Sequence, residues 1–361
     1  MKIMILSNMY PSGPHPGYGI FVFHQVEALK AHHDCRVTLV VSRATPGSLL
    51  GRFRKYLALQ GRAWSRCLAS FDVVHLHYVS SAHILAAAPI LLRRKPLVVT
   101  AHRGDIYGLP RSGPRKILVS RLLRRARAVI AVSRDLKDRM VEDLGIQEER
   151  VSVINVGCDL TLFKPRSDAE IASLKQELGL TPGAFHILFV GALIRRKGLD
   201  TLFKALAGIN TADRPTVVIV GAGPDQKALG SLASTLDIEE SIRWLGERSH
   251  GELPDLYAVS DLFVLPSRSE GTPTVMLEAM ASGTCAIVSR VGGVADVISH
   301  GRNGFLIDPE ESDALRELIV QLMRDPQLRT RVARNGRADM EEHSLARQAD
   351  RIAAIYRNAL R

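Results

Sequence analysis

The sequence predicts an α/β chain built from two doubly wound, Rossmann-like domains. Three observations carry that prediction. Strand-like runs are short, rich in Val, Ile and Leu, and apolar on both faces, as in parallel sheets covered on both sides. Helical patterns separate them, and the same alternation returns in the second half. The 361 residues fit two cores, since one core stops growing near about 250–300 residues.

In the first half, strands are expected at residues 2–7, 36–42, 73–78, 97–102, 128–133 and 151–156. Helices are expected between them at 21–31, 53–68, 82–92, 115–125 and 134–144. The second-half strands read 186–190, 216–220, 242–245, 262–265, 286–289 and 304–307. The segment 159–168 lacks periodicity and contains Pro165, so it reads as a linker. The expected domains are therefore 1–165 and 166–342. A last helix near 345–360 falls within a final segment, 343–361.

Composition narrows the class. Hydrophobic residues make up 46%, which excludes disorder, collagen and coiled coil. No apolar run approaches the ~20 residues of a membrane span; the longest ends at Arg93-Arg94-Lys95. The N-terminal apolar stretch is too short for a secretory signal. Cys35, Cys67, Cys158 and Cys285 lie far apart, which argues against disulfides or zinc and for a reducing cytoplasm. Charge is uneven: residues 1–165 hold 25 Lys and Arg against 11 Asp and Glu, and the remainder holds 23 against 26. The basic half points to an anionic partner: nucleic acid, lipid headgroups or a phosphorylated substrate.

Doubly wound sheets bind ligands at the carboxyl ends of their strands, and two facing domains would set the site in a cleft between them. The motifs do follow strands. Residues 8–20 form a Gly/Pro loop, with Gly17 and Gly19, that opens onto a helix; helix-start N–H groups can hold an anion, though such loops are also plain turns. Gly221-Ala-Gly223-Pro224 resembles a dinucleotide turn, but Gln226 replaces the third glycine, leaving a turn with some phosphate contact. Arg195, Arg196 and Lys197 gather at a helix start, where the macrodipole disfavours cations unless an anion sits there.

Residues 266–283 are the most specific segment. Glu270 stands in a polar loop, and Glu278 lies inside the helix that begins near Thr274. A carboxylate accepts two hydroxyl hydrogen bonds, which suits the vicinal diol of a sugar or ribose. His102 ends a strand beside Gly104 and Asp105. His75 and His77 point to one face of their strand, and without a third ligand they read as a packed or hydrogen-bonded pair. The chain contains no Asp-x-Asp, so no metal is expected.

These residues together resemble the family 4 retaining glycosyltransferases of the GT-B fold. The resemblance runs through Tyr10-Pro11, Gly19–Val22, Thr100–Asp105, Val129–Ser133, Val190–Gly198 and Val220–Pro224. It continues through the Glu270-x(7)-Glu278 element, Val291-Gly292-Gly293 and Gly301–Phe305. It implies a second domain that binds a nucleotide-diphosphate sugar, UDP- or GDP-linked. Glu278 would hold the ribose hydroxyls, Glu270 the transferred sugar and Lys197 the diphosphate, with Arg196 beside it. The base would lie near Arg243 and Leu245, and Gly223, Gly271, Thr272, Thr274 and Val275 would complete the donor site. In the first domain, His102 would meet the sugar at the reaction centre. Gly17, Gly19 and Asp105 would line the diphosphate and acceptor side. The last helix would cross back onto the first domain.

One departure stands out: the family's usual Arg, five positions before the Lys, is Ala192 here. The implied reaction is metal-independent transfer to a hydroxyl of a glycan or lipid-linked acceptor, as in polysaccharide or glycolipid synthesis. Amphipathic basic stretches at 52–66 and 116–127 suit the inner face of an anionic membrane, although they must also bury an apolar face in the domain. The rivals are phosphorolysis, sugar-nucleotide epimerisation and a non-catalytic carbohydrate-binding module. Nucleic acid is disfavoured, because only 5% of residues are aromatic and no stacking cluster is evident.

Overall fold

Each half of the chain forms one parallel sheet. The computed structural model describes residues 1–12, 17–42, 49–66, 69–79, 93, 95–181 and 183–361. The expected helix at 82–92, the loop residues 13–16, the end of the 53–68 helix and Cys67 lie outside the described residues. The chain divides into one unit of Met1–Gly157 with Leu345–Arg361 and a second unit of Cys158–Ser344. The boundary therefore falls before the expected linker. The reason is local: the Cys158 N–H donates to His343 O at 2.8 Å, and Phe163 is buried in the second core.

The first sheet contains β1 (Lys2–Ser7), β2 (Arg36–Val41), β3 (Val73–His77), β4 (Leu97–Ala101), β5 (Ala128–Ala131) and β6 (Val151–Val153). Their order is β2-β1-β3-β4-β5-β6, all parallel. One face packs Met4, Leu6, Val74, Leu76 and Val99 against the helices Leu49–Arg66, Pro114–Arg125 and Arg134–Leu144. The opposite face packs Ile3, Ile5 and Val73 against the helices Ile20–His33 and Leu345–Leu360. Alternate residues of one strand thus fill two cores, which is why these strands are apolar throughout.

The second sheet holds β7 (His186–Val190), β8 (Thr216–Val220), β9 (Ile242–Gly246), β10 (Leu262–Leu265), β11 (Cys285–Ser289) and β12 (Phe305–Ile307). Its order is β12-β11-β10-β7-β8-β9, again parallel. From β7 the chain winds outward to β9, then returns to the other side with β10. The crossover direction therefore reverses between β7 and β10, where doubly wound sheets open a crevice at their strand ends. The loops leaving those ends are residues 191–198 and 266–273.

Candidate functional site

The two switch-point loops of the second unit interlock. The Arg268 N–H donates to Arg196 O at 2.8 Å, and its guanidinium donates to Arg195 O at 2.7 Å. The same guanidinium grips Asp200 with two bonds of 2.8 and 2.7 Å. Gly198 sits at φ 67, and a Cβ there would stand 1.9 Å from Pro266 O. Only glycine permits both the left-handed backbone and that approach.

Here Lys197 meets Glu270. Lys197 Nζ donates to Glu270 Oε1 at 2.7 Å, and the buried Ser267 hydroxyl donates to the same oxygen at 2.7 Å. Arg196 Nη1 donates to Ser269 O at 3.0 Å and lies 3.6 Å from Glu270 Oε2. Glu270 is therefore the anion that two of the three clustered cations, Lys197 and Arg196, face. Of the two neighbouring arginines, Arg196 is the one that brings its guanidinium to the site.

Past Glu270 the chain turns into the helix Thr274–Ala281. Its cap is Pro273, with no side-chain capping bond and no acidic residue in the first turn. The leading N–H groups of Thr274 and Val275 thus keep the partial positive charge that attracts anions. Thr272 is buried beside them, and Gly271 O accepts the Gly293 N–H at 2.6 Å. One turn further in, Glu278 is buried among Met276, Leu277, Ala279 and Met280. Its Oε1 pairs with His250 Nε2 at 3.2 Å, and its Oε2 accepts the Tyr257 hydroxyl at 3.0 Å. Glu278 also holds the His250 imidazole above its ordinary pKa.

Gly223 lies beside the 191–198 loop, where a Cβ would stand 2.3 Å from Leu193 O; close packing alone accounts for this glycine. Among the described residues Arg243 makes no hydrogen bond or ion pair with either glutamate. Arg243 occupies the second position of β9 and donates to Gly179 O at 2.6 Å. With Leu245 it lines a pocket with Leu178, Leu180 and Ser260, and Ser260 precedes β10. Val218 of β8 also lines this pocket, which runs from Arg243 near the amino end of β9 to Leu245, next to the carboxyl-terminal Gly246.

In the first unit, the half-buried His102 follows β4 and packs against Phe21, at 4.7 Å between ring centroids, and Tyr78, at 6.3 Å. Burial lowers its pKa to about 4, so the ring is neutral near pH 7. Its Nε2 has no hydrogen-bond partner among the described residues. Asp105 is fully buried: Oδ1 accepts the His102 N–H at 2.9 Å and Oδ2 accepts the Val79 N–H at 2.7 Å. Desolvation nevertheless raises its pKa to about 7, against the lowering effect of those backbone bonds. Gly19, at φ 74, caps the helix Ile20–His33, and Gly17 lies in the turn before it. His75 and His77 are the hydrogen-bonded pair expected. His75 is bonded to Tyr356 and Thr100, at 2.5 and 2.7 Å, and His77 to Gln25 at 3.2 Å.

Sequence reasoning missed Ser267, His250, Tyr257 and the Asp200–Arg268 pair. Ser267 stands three residues before Glu270, a spacing that often carries a local hydroxyl–carboxylate bond and could have flagged it. His250 and Tyr257 lie 28 and 21 residues before Glu278, and no local pattern ties them to it.

Comparison with known proteins adds the following. Residues 170–339 match the family described as Glycosyl transferases group 1, and residues 17–162 match Glycosyltransferase Family 4. A D-inositol 3-phosphate glycosyltransferase 1 of Catenulispora acidiphila is 31% identical over 315 residues, 82% of this chain and 74% of that protein. An N-acetyl-alpha-D-glucosaminyl L-malate synthase of Bacillus anthracis is 27% identical, over 81% of this chain and 76% of that protein. The crystal structure of Anabaena Alr3699/HepE in complex with UDP-glucose has a TM-score of 0.80 and 26% identity, covering 99% of this chain and all of that one.

Proposed function

This chain belongs to the family 4 glycosyltransferases, and from that premise we propose that it is a retaining hexosyltransferase acting from a nucleotide-diphosphate sugar. The observation that carries the reading is the Lys197–Glu270 pair at the switch point, directly ahead of the uncapped start of Thr274–Ala281. The neighbouring complex with UDP-glucose favours a uridine donor. The acceptor is a hydroxyl of a glycan or lipid-linked molecule. Two relatives are named for inositol 3-phosphate and for malate, which favours an acceptor that carries negative charge, in keeping with the basic first unit.

In this reading the C1–O bond to the β-phosphate breaks and its electron pair passes to the phosphate oxygen. Lys197, Arg196 and the N–H groups of Thr274 and Val275 stabilise the charge that develops there. The acceptor oxygen bonds to C1 on the face the phosphate leaves, and its proton passes to the departing phosphate oxygen. Glu270 positions the sugar. Its carboxylate already takes Lys197 and Ser267 on one oxygen and faces Arg196 with the other, a poor state for a nucleophile. Neutral His102 offers Nε2 to a sugar hydroxyl. The reaction so drawn needs no metal.

The test is product formation from UDP-, GDP- and ADP-sugars, with acidic and lipid-linked acceptors and with none. Transfer with retained anomeric configuration supports the reading. Phosphorolysis or epimerisation without acceptor, or no turnover with any donor, contradicts it.

We further infer contact with an anionic membrane through the layer of Leu49–Arg66 and Pro114–Arg125, which pack on the same face of the first sheet. Leu57, Trp64 and Ile117 are each about half exposed there, among exposed Arg54, Arg115 and Arg121. Among the described residues no helix is long and apolar enough to cross a membrane. Flotation with anionic vesicles that weakens with salt supports this contact, and no binding at low salt removes it.

A further inference from the structure

The two candidate-site glutamates are solvated in opposite ways. Glu270 is neutralised by Lys197 and Arg196. Glu278 is as deeply buried, yet among the described residues no lysine or arginine pairs with it. Its partners are His250 on one oxygen and the Tyr257 hydroxyl on the other. A carboxylate offers about four acceptor positions, so this one keeps a vacant lone pair on each oxygen. Burying such a group is costly unless further donors arrive. Two donors at the spacing of the two carboxylate oxygens are what a vicinal diol supplies.

We propose that His250 is a positioning residue that holds Glu278 against Tyr257 so that the carboxylate selects a nucleotide bearing a ribose 2′,3′-diol. The proposal rests on the reading of the second unit as the donor-binding unit. Tyr257 is the fixed half. It is fully buried, its ring packs on Phe163 and Phe263 at 5.9 and 5.8 Å, and its carbonyl accepts Thr284 Oγ1 at 2.8 Å. His250 is the adjustable half. It rises from the loop after β9, meets the Phe163 edge at 5.1 Å and keeps about a third of its side chain exposed. The carboxylates of Glu278 and Asp159 favour its protonated, donating form. Losing this donor leaves Glu278 with one restraint and frees it to rotate away from the diol.

The experiment is calorimetric binding of UDP, 2′,3′-dideoxy-UDP and inorganic pyrophosphate to the full chain, with GDP and ADP run alongside. The proteins are wild type, His250→Ala, His250→Gln and Tyr257→Phe, each checked to be folded, with a single cooperative melting transition, at the temperature of the assay. Wild type should prefer UDP over the dideoxy compound by about 10–100-fold, the worth of one or two hydrogen bonds to a charged group. His250→Ala should lose about tenfold on UDP and stay within about twofold on the dideoxy compound and pyrophosphate. His250→Gln, which keeps an N–H donor, should recover most of the loss, and Tyr257→Phe should mirror His250→Ala. Equal weakening toward UDP and pyrophosphate, unaltered UDP binding in His250→Ala, or failure of glutamine to rescue would each overturn the role of His250. A wild type that binds none of the three nucleotides would overturn the donor-site reading itself.

Discussion

Lys197 and Glu270 form a 2.7 Å ion pair between the two loops at the switch point of the second sheet, with Ser267 bonded to the same carboxylate oxygen. The pair joins residues 73 positions apart, and both side chains are largely buried. Its two members should respond differently to substitution. Lys197→Ala removes the partner of a buried charge and should cost about 1–3 kcal/mol in stability, softened by Arg196 and Ser267. It should also lower turnover about 10²–10³-fold. Adding Glu270→Gln should restore much of the melting temperature and none of the turnover. Denaturation and steady-state kinetics on the same preparations check both; recovery of turnover in the double variant contradicts the pairing as described.

Gly198→Ala should fail outright. The added Cβ would lie 1.9 Å from Pro266 O on a backbone at φ 67. A loss of more than about 2 kcal/mol in urea is expected, with nucleotide binding lost alongside. An alanine variant of native stability would mean that the two loops do not approach as described.

Asp105 should make stability depend on pH. Its folded pKa is raised from 3.8 to about 7 by burial. A raised pKa means the folded state binds its proton more tightly. The benefit is therefore full below the ordinary value and is lost as pH rises through about 7. Asp105→Asn removes that titration while keeping one backbone acceptor. Relative to wild type, the variant should gain stability between about pH 4 and pH 8. Parallel stability curves for the two proteins would contradict the assignment.

His250 carries the same sign by a different cause, because the hydrogen bond it donates to Glu278 raises its pKa. The protonated pair supports the fold at low pH, and the support fades as pH rises past the imidazole's raised value. His250→Gln should therefore flatten the fall in melting temperature as pH rises above the ordinary imidazole value of about 6.5.

Arg243→Ala is predicted to be nearly silent in catalysis. The guanidinium is committed to Gly179 O. About 1 kcal/mol of stability should go with that bond, while the KM for donor stays within about twofold. A tenfold rise in KM would return Arg243 to the donor site.

How much of this was legible in the sequence follows from physical range. Strands buried on both faces announce themselves, and β1, β7, β8 and β10 have the bounds their apolar runs predict. The helix Arg134–Leu144 also starts and stops where expected, between a Ser133 N-cap and Gly145. The helix Asp168–Glu177 was passed over inside and after the apparent linker, although Ser167 and Glu170 form a capping box that was there to be read. Loop residues at the site were legible as types, because glycine, lysine and glutamate after strands are conspicuous. Their partners were not: the counter-charge to Lys197 and the donors to Glu278 are set by strand order and loop packing.

The most direct test of the central claim is a crystal structure of the chain with a non-hydrolysable UDP-sugar. The account predicts the diphosphate within hydrogen-bond distance of Lys197 Nζ and the Thr274 and Val275 N–H groups, with the ribose hydroxyls on Glu278. A nucleotide lodged in the pocket of Arg243 and Leu245, or held by the first unit alone, would contradict it.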